Sequence, residues 1–494
     1  MATLSLSTYD ALASEHRSRV DPRELTLGVV HLGVGGFNRG HQLSYLERAA
    51  AASGDRHFGV SAYSERSADA SDVLAAQDGL YSLRVATAEH SSITVIASLR
   101  EAHFAQREND LLIEQLSDPA VRLVTLTVTE KGYHHDPATR RLRRDDKDVL
   151  ADAGGAPPAT VLGQLVRGLE ARRRRDAGPI TIASCDNLPS NGAVLAGLIS
   201  EFLELPGRFD AGLADYIDTQ VFFPCSMVDR IVPAATDQHR RLVSEVLGVE
   251  DRAPVLTEPF TQWVLERRLG PGLPDLAGVG VELVGDVVPY ETLKLRALNG
   301  THSAIAYLGL LAGYEEIAAA LQSEAIARFS RAFIDEEVEP TLALPVGLDF
   351  ARYRDEVLER FANPLLGYRT LQVAGDGSQK LPQRVLGTVA ERLAAGVLPR
   401  RSVLVLAAYL QAITDGHDEN NRPFSVSDPL AGTIRERLGG TSTPSERAER
   451  FLSVRELFGD ELGGDERLRG LLAESIAALQ SAPVLAVLAQ LDRQ

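Results

Sequence analysis

Lys294, Asn299 and His302 fall within nine residues, in a stretch that reads as helical. Wound at about 100° per residue, Asn299 lies about 140° and His302 about 80° round from Lys294, so all three share one arc. An amine, an amide and an imidazole on one face can take a proton from a hydroxyl and hold the oxygen left behind. The amine must be neutral to do so, and burial opposes its charged form. Lysine can lose its proton when buried, whereas arginine cannot near neutral pH. Lysine is rare here: of 51 cationic residues only Lys131, Lys147, Lys294 and Lys380 are lysine. Lys147, within Asp145-Asp146-Lys147-Asp148, reads as surface charge. Gly300, Thr301 and Ser303 are small and leave room for a substrate or another backbone. Asn299-Gly300 is also a common turn dipeptide, which would end the helix there.

A second constellation lies in the first half. Gly28–Leu32 is an apolar run that leads into Gly33-Val34-Gly35-Gly36-Phe37-Asn38-Arg39. Gly33 permits a tight turn after a strand, and Gly35 lets backbone amides approach a pyrophosphate at a helix N-terminus. The third glycine of the usual G-x-G-x-x-G pattern falls at Asn38, so the match is partial, and a glycine-rich turn without a ligand is the alternative. The next strand, 58–62, leads to Glu65 and Arg66. An acid there holds a ribose diol and favours NAD, whereas Arg66 would receive the 2′-phosphate of NADP. Ser184-Cys185-Asp186-Asn187 follows another apolar run, where a parallel strand's carboxyl end lines the crevice. Asn187 is a further amide donor there, and Asn191-Gly192 reads as a turn. Tyr290 and Lys294 have the Tyr-x-x-x-Lys spacing of short-chain dehydrogenases. In those enzymes the pair belongs to the nucleotide-binding domain itself. Here it lies some 255 residues beyond Gly35, in the other half, and that assignment is rejected.

The elements that must position these groups differ between the halves. Apolar runs at 28–32, 58–62, 93–98, 123–129 and 180–184 alternate with helical stretches, the βα signature of a parallel sheet. The stretch 134–158 is a polar excursion whose end, 151–158, is a loop by composition. From Pro289 onward the periodicity is mainly helical. Pro289-Tyr290-Glu291 opens a helix that runs to about Leu311, with Gly313 as its cap. Thr443-Pro444-Ser445-Glu446 has the pattern of an N-cap, proline at the first turn and glutamate three residues on. The expected class is α/β: a Rossmann-type domain over 1–285 and a mainly α-helical domain over 286–494.

Composition narrows the function classes. The chain has 494 residues, a net charge of −17 and 44% hydrophobic residues. An acidic balance argues against nucleic acid as a partner. The only dense basic cluster, Arg172–Arg175, reads as a solvated helix end. No apolar run approaches the 18–20 residues of a membrane span, and no signal peptide is evident. Cys185 and Cys225 make neither a C-x-x-C pair nor a disulfide framework, so no metal is expected and a reducing cytoplasm fits.

The sequence resembles the mannitol dehydrogenase family of long-chain, polyol-specific oxidoreductases. The resemblance extends over nearly the whole chain. It rests on the glycine turn 33–39, Thr127-Val128-Thr129-Glu130-Lys131-Gly132-Tyr133, Ser184-Cys185-Asp186-Asn187, the segment 223–230, Glu258-Pro259-Phe260 and, above all, Lys294-x-x-x-x-Asn299-x-x-His302. It implies NAD(P) without zinc, bound by the turn from Gly33 through Gly35, Gly36 and Phe37 and by Glu65 or Arg66, with the active site in a cleft between the domains. It implies Lys294 as general base, Asn187 and Asn299 on the reacting oxygen, and His302 positioning the substrate. Glu291 matches an acid that gates proton escape, Lys380 a substrate-hydroxyl contact, and Asp229 an acid close to the site. Asn38 and Gly40 depart from the family's usual His and Ala, and Arg66 replaces an aspartate of NAD-preferring relatives. The implied activity is oxidation of D-mannitol to D-fructose. Interconversion of D-fructuronate and D-mannonate, and D-arabinitol oxidation, are alternatives. For a carboxylated substrate, Arg230, Arg369 and Arg384 are available anchors. A non-catalytic nucleotide sensor is the alternative of another class. The sequence leaves the oligomeric state open.

Overall fold

Alternation of two buried faces explains the first half. The computed structural model describes residues 1–87, 89–136 and 139–493. They form two compact units, the first ending at Val288 and the second beginning at Pro289. Among the described residues the first unit's strands are β1 (Leu27–Leu32), β2 (Gly59–Ser64), β3 (Tyr81–Ala86), β4 (Ser91–Ile96), β5 (Leu99–Phe104), β6 (Leu123–Leu126), β7 (Ile180–Ser184), β8 (Val221–Phe222), β9 (Ser226–Asp229), β10 (Val255–Thr257), β11 (Gln262–Glu266) and β12 (Glu282–Val284).

Six of these make an all-parallel sheet in the order β5-β2-β1-β6-β7-β8. Such sheets are covered on both sides, and their strands are apolar throughout. Val30, Leu32, Val124, Leu126, Ile180 and Ile182 belong to one core, packed with Leu162, Leu165 and Leu169. Their neighbours Val29, Leu123 and Ala183 belong to the other, with Leu43, Leu46 and Trp263. The chain runs outward one way through β1, β2 and β5, then the other way through β6, β7 and β8. The order therefore reverses between β1 and β6, which is where open α/β sheets bind ligands. This is the Rossmann-type domain that the alternation predicts.

Two smaller sheets, β10-β3-β4 and β12-β11-β9, complete the unit. They correct one expectation. The run at 93–98 does not enter the parallel sheet: β4 pairs antiparallel with β3, and β5 takes the edge position beside β2. Polar alternation in Leu99-Arg100-Glu101-Ala102-His103-Phe104 hid that edge strand. The excursion 134–158 is also less irregular than its composition, since Lys147–Ala153 is a helix capped by Asp146, whose Oδ1 accepts Asp148 N–H at 2.9 Å. Pro137 and Ala138 of that excursion lie outside the described residues.

Arg172 overturns the solvated-face reading of the basic cluster. It is 0% exposed, and its guanidinium donates to the carbonyls of Leu116, Asp118, Ala177, Gly178 and Pro179 at 2.7–3.1 Å. Arginine's five donors in a fixed fork suit this role. It satisfies the last carbonyl of the helix Asn109–Leu116 as well as the turn before β7. Arg174 and Arg175 are exposed, as the charge run suggests.

The second unit is helical. Arg400–Asp415 is buried along Ser402–Leu410, and Thr301–Leu311 is buried nearly all round. Thr443 caps Pro444–Leu452 as its sequence predicts: Thr443 Oγ1 accepts Glu446 N–H at 3.2 Å and Glu446 Oε2 accepts Thr443 N–H at 3.1 Å. Among the described residues no helix is long and apolar enough to cross a membrane.

Candidate active site

The glycine turn is built where β1 ends. Gly33 has φ +94°, and a Cβ there would lie 2.2 Å from the carbonyl oxygen of Thr127, so only glycine fits. Gly35 precedes the short helix Gly36–Gly40, and a Cβ on it would meet nothing nearer than Gly33 O at 3.8 Å. The backbone at Gly35 is thus uncrowded on its Cβ side. Behind it, Thr127 Oγ1 donates to Gly33 O at 2.9 Å, which spends its only proton. His31 Nε2, 3.0 Å from that oxygen, must therefore be the donor in their contact. Its Nδ1 accepts from Thr125 Oγ1 at 2.8 Å. Burial pushes the His31 pKa down to about 3, consistent with a neutral ring. Phe37 stacks on His41 with ring centroids 5.0 Å apart. Asn38 is buried, and neither side-chain atom has a hydrogen-bond partner among the described residues.

Glu65 and Arg66 follow β2 and diverge. Glu65 Oε2 accepts from Gln164 Nε2 at 3.2 Å, while Oε1 is buried with no partner among the described residues. Burial pushes its carboxyl up to about 7. Arg66 is exposed and donates through Nη2 to Thr129 Oγ1 at 2.8 Å.

The segments after β6 and β7 are joined by Asp186, which sequence reasoning quoted only as part of a motif. Its carboxylate accepts the N–H groups of Val128 and Thr129 and the hydroxyl of Tyr133. Burial raises its pKa to about 6, opposed by those hydrogen bonds. Asn187, next in sequence, is exposed. Asn191-Gly192 is not a turn. It opens the helix Asn191–Leu203, with Asn191 Nδ2 donating to Asp186 O at 3.0 Å and Ser226 O at 2.9 Å. A Cβ on Gly192 would lie 2.4 Å from Pro224 O, so the dipeptide serves close packing. Asp229 ends β9, buried and opposite Gln262 of β11.

In the second unit the catalytic candidates lie on a helix of changing pitch. Val288–Leu293 is α-helical, Lys294–Gly300 is π-helical, and Thr301–Leu311 is α-helical again. The 100° winding is corrected accordingly: a π-turn closes between residues five apart, the spacing of Lys294 and Asn299, and brings them closer in projection. Asn299-Gly300 does not break the helix. Glu291, Lys294 and Asn299 are 6%, 6% and 8% exposed. His302 stacks on Phe361 at 4.6 Å and meets Tyr368 edge-on at 5.3 Å.

Gly300 makes room for a backbone, not a substrate. A Cβ there would lie 2.7 Å from the carbonyl oxygen of Arg384, in a second π-turn, Pro382–Leu386. Arg384 Nη1 donates to Ser303 Oγ at 3.0 Å and reaches Asn299 O at 3.5 Å. Lys380, one turn earlier, donates through Nζ to Gly375 O at 2.6 Å. Of the two second-unit arginines considered as carboxylate anchors, Arg384 bonds next to these candidates. Arg369 pairs with Glu315 at 2.9 Å with 63% of its side chain exposed. Arg230 is buried and donates to the backbone oxygens of Glu258 and Gly40. Among the described residues no three His, Cys, Asp or Glu side chains gather as a metal site would require.

Sheet, glycine turn and helical unit define the class: a two-unit protein built on a Rossmann-type domain. Comparison with known proteins gives the family. Residues 27–278 match the mannitol dehydrogenase Rossmann domain and residues 286–480 the mannitol dehydrogenase C-terminal domain. The chain belongs to the mannitol dehydrogenase family. It is 35% identical to mannitol dehydrogenase DSF1 of Saccharomyces cerevisiae, over 96% of this chain and 94% of that one. It is 36% identical to the D-mannonate oxidoreductase of Escherichia coli, over 90% and 91% of the two chains. Its structure is similar to that of Pseudomonas fluorescens mannitol 2-dehydrogenase in ternary complex with NAD and D-mannitol, with TM-score 0.91, 32% identity and 100% of both chains covered.

Proposed function

We propose that the protein is an NAD-dependent polyol dehydrogenase that oxidises D-mannitol to D-fructose. The observation that carries this reading is the π-turn that buries Lys294 and Asn299 at a five-residue spacing. Two features fit NAD: the uncrowded glycine turn at the strand switch, and the buried Oε1 of Glu65, an acceptor for a ribose hydroxyl. Arg66, which bonds Thr129, does not replace that acid, which favours NAD over NADP. When bound, NAD supplies the carbon that accepts hydride from the alcohol.

The chain's own residues manage the proton and the oxygen. Lys294, as the neutral amine, takes the hydroxyl proton, and its burial disfavours the ammonium. The amides of Asn187 and Asn299 donate to the oxygen as it gains negative charge, in the manner of an oxyanion hole. His302, fixed in its aromatic slot, orients the substrate, and Lys380 holds a remote hydroxyl. Glu291 passes on the proton that Lys294 releases, and Asp229 is assigned near the same substrate.

A sugar acid is the second reading, favoured by Arg384, which bonds Ser303 one residue beyond His302. The deciding experiment follows reduced coenzyme while D-mannitol, D-arabinitol and D-mannonate are offered with NAD and with NADP. Rapid NAD-linked oxidation of D-mannitol is expected, and preference for D-mannonate selects the second reading. Lys294→Ala should lose most turnover and the rise of oxidation rate with pH that deprotonation of the amine gives. No oxidation of any substrate, with NAD still bound, would make the protein a nucleotide sensor.

A further inference from the structure

The crevice at the strand switch has two lips: the glycine turn after β1 and the segment 127–133 after β6. The second lip holds a residue whose backbone its place in the motif 127–133 does not foretell. Thr129 has φ +65° and ψ 163°, a conformation that is almost exclusively glycine's and costly for a β-branched side chain. Strain of this kind persists only where surrounding contacts impose it, and it concentrates at ligand sites.

One side chain accepts the N–H groups of this lip, while the Thr129 carbonyl accepts Gly132 N–H at 2.9 Å. Asp186 Oδ1 accepts Thr129 N–H at 2.8 Å. Its Oδ2 accepts Val128 N–H at 3.1 Å and the Tyr133 hydroxyl at 2.7 Å. That hydroxyl also lies 2.6 Å from Ser184 Oγ at the end of β7. The main chain of Asp186 is held in turn by Asn191. An ionised carboxylate is acceptor-only and can serve three donors, whereas an amide would turn an NH2 toward one of them. Thr129 is also where Arg66 lands, from beyond β2 on the far side of β1. One carboxylate therefore sets the residue to which both flanks of the crevice are tied.

We infer that Asp186 is a positioning residue for the nucleotide: by holding Thr129 in its positive-φ conformation it fixes the lip opposite the glycine turn. The inference rests on the proposed use of NAD. Asp186 acts through the backbone of Thr129, so a glycine at 129, which adopts that conformation unaided, should make the carboxylate dispensable.

The test measures NADH affinity by nicotinamide fluorescence, amide exchange across 127–133, and thermal unfolding, for the wild type, Asp186→Asn, Thr129→Gly and the double variant. Asp186→Asn is expected to weaken NADH binding about tenfold or more and to speed exchange at Val128 and Thr129, with unfolding still cooperative. Thr129→Gly also deletes the hydroxyl that Arg66 bonds, but that hydrogen bond is exposed and worth little, so this variant should bind within about threefold of the wild type, and the double variant should recover most of the lost affinity. Asp186→Asn that binds NADH normally, or a double variant no better than Asp186→Asn, overturns the inference. Should Asp186→Asn not fold, Tyr133→Phe, which deletes one of the three donors, is measured instead. Weaker binding with faster exchange supports the inference, and unchanged values overturn it. A wild type that binds no NADH removes the functional reading and this inference together.

Discussion

Replacing Gly300 by alanine tests whether the two π-turns are held in register by their contact. The backbone at 300 has φ −62° and ψ −48°, so alanine is sterically allowed there and favoured over glycine by about 1 kcal/mol in a helix. Against this, the new Cβ falls 2.7 Å from Arg384 O, about 0.7 Å short of ordinary contact. The obstructing atom is main chain, so no side chain can swing aside. Overpacking of this kind costs about 1–3 kcal/mol, which outweighs the propensity gain by up to about 2 kcal/mol. For a unit of this size each kcal/mol lowers Tm by about 2–4 °C, so the stability loss should be modest. The kinetic loss should be larger. Asn299 precedes the new methyl group, and a shift approaching 1 Å at a reacting group costs on the order of a hundredfold. Gly300→Ala should fold, melt a few degrees low, and lose about ten- to a hundredfold in kcat on the polyol while NADH binding is unchanged. Turnover within twofold of the wild type, with Tm unchanged or raised, would refute the argument that this contact sets the geometry.

Glu65, whose carboxyl is pushed up to about 7 by burial, gives a pH dependence. Its folded pKa lies above the ordinary value of 4.5, so ionising it in the free protein loses stability as pH rises between those values. Ribose hydroxyls prefer the ionised form, so NADH titrations should show affinity rising with pH up to about 7, with Glu65→Gln flattening the profile. Arg172→Lys should lower unfolding free energy in urea by at least about 3 kcal/mol, because an ammonium cannot serve five buried carbonyls, whereas Arg175→Ala should stay within about 0.5 kcal/mol. His31, held neutral with its pKa near 3, should contribute stability above pH 6.5 that is lost as pH falls toward 3. Denaturation curves of the wild type and His31→Gln across that range would reveal the difference.

The sheet strands expected at 28–32, 123–129 and 180–184 were legible because two buried faces leave an apolar run with no competing pattern, although the second ends at Leu126. Leu99–Phe104 was not, since an edge strand tolerates Arg100, Glu101 and His103 and so lacks that run. Arg172 and Arg174 look alike in sequence, and only their phase on the helix decides which meets water. Gly33 and Gly35 could be read from the turn they must make. Thr129 could not, because its conformation contradicts its own propensity and is imposed by a carboxylate 57 residues away. The spacing of Lys294 and Asn299 was visible, but local propensity gave no sign of the wider winding that relates them.

That wider winding has a thermodynamic side. A π-turn accommodates an additional residue in a helix that would otherwise wind regularly, and such insertions recur at functional positions. Shortening 295–298 by one residue would restore uniform winding and better backbone bonding. It would also rotate Lys294 away from the residues that follow. The irregular segment thus gives up backbone bonding at the place where Lys294 and Asn299 are brought into line, an exchange of durability for chemistry.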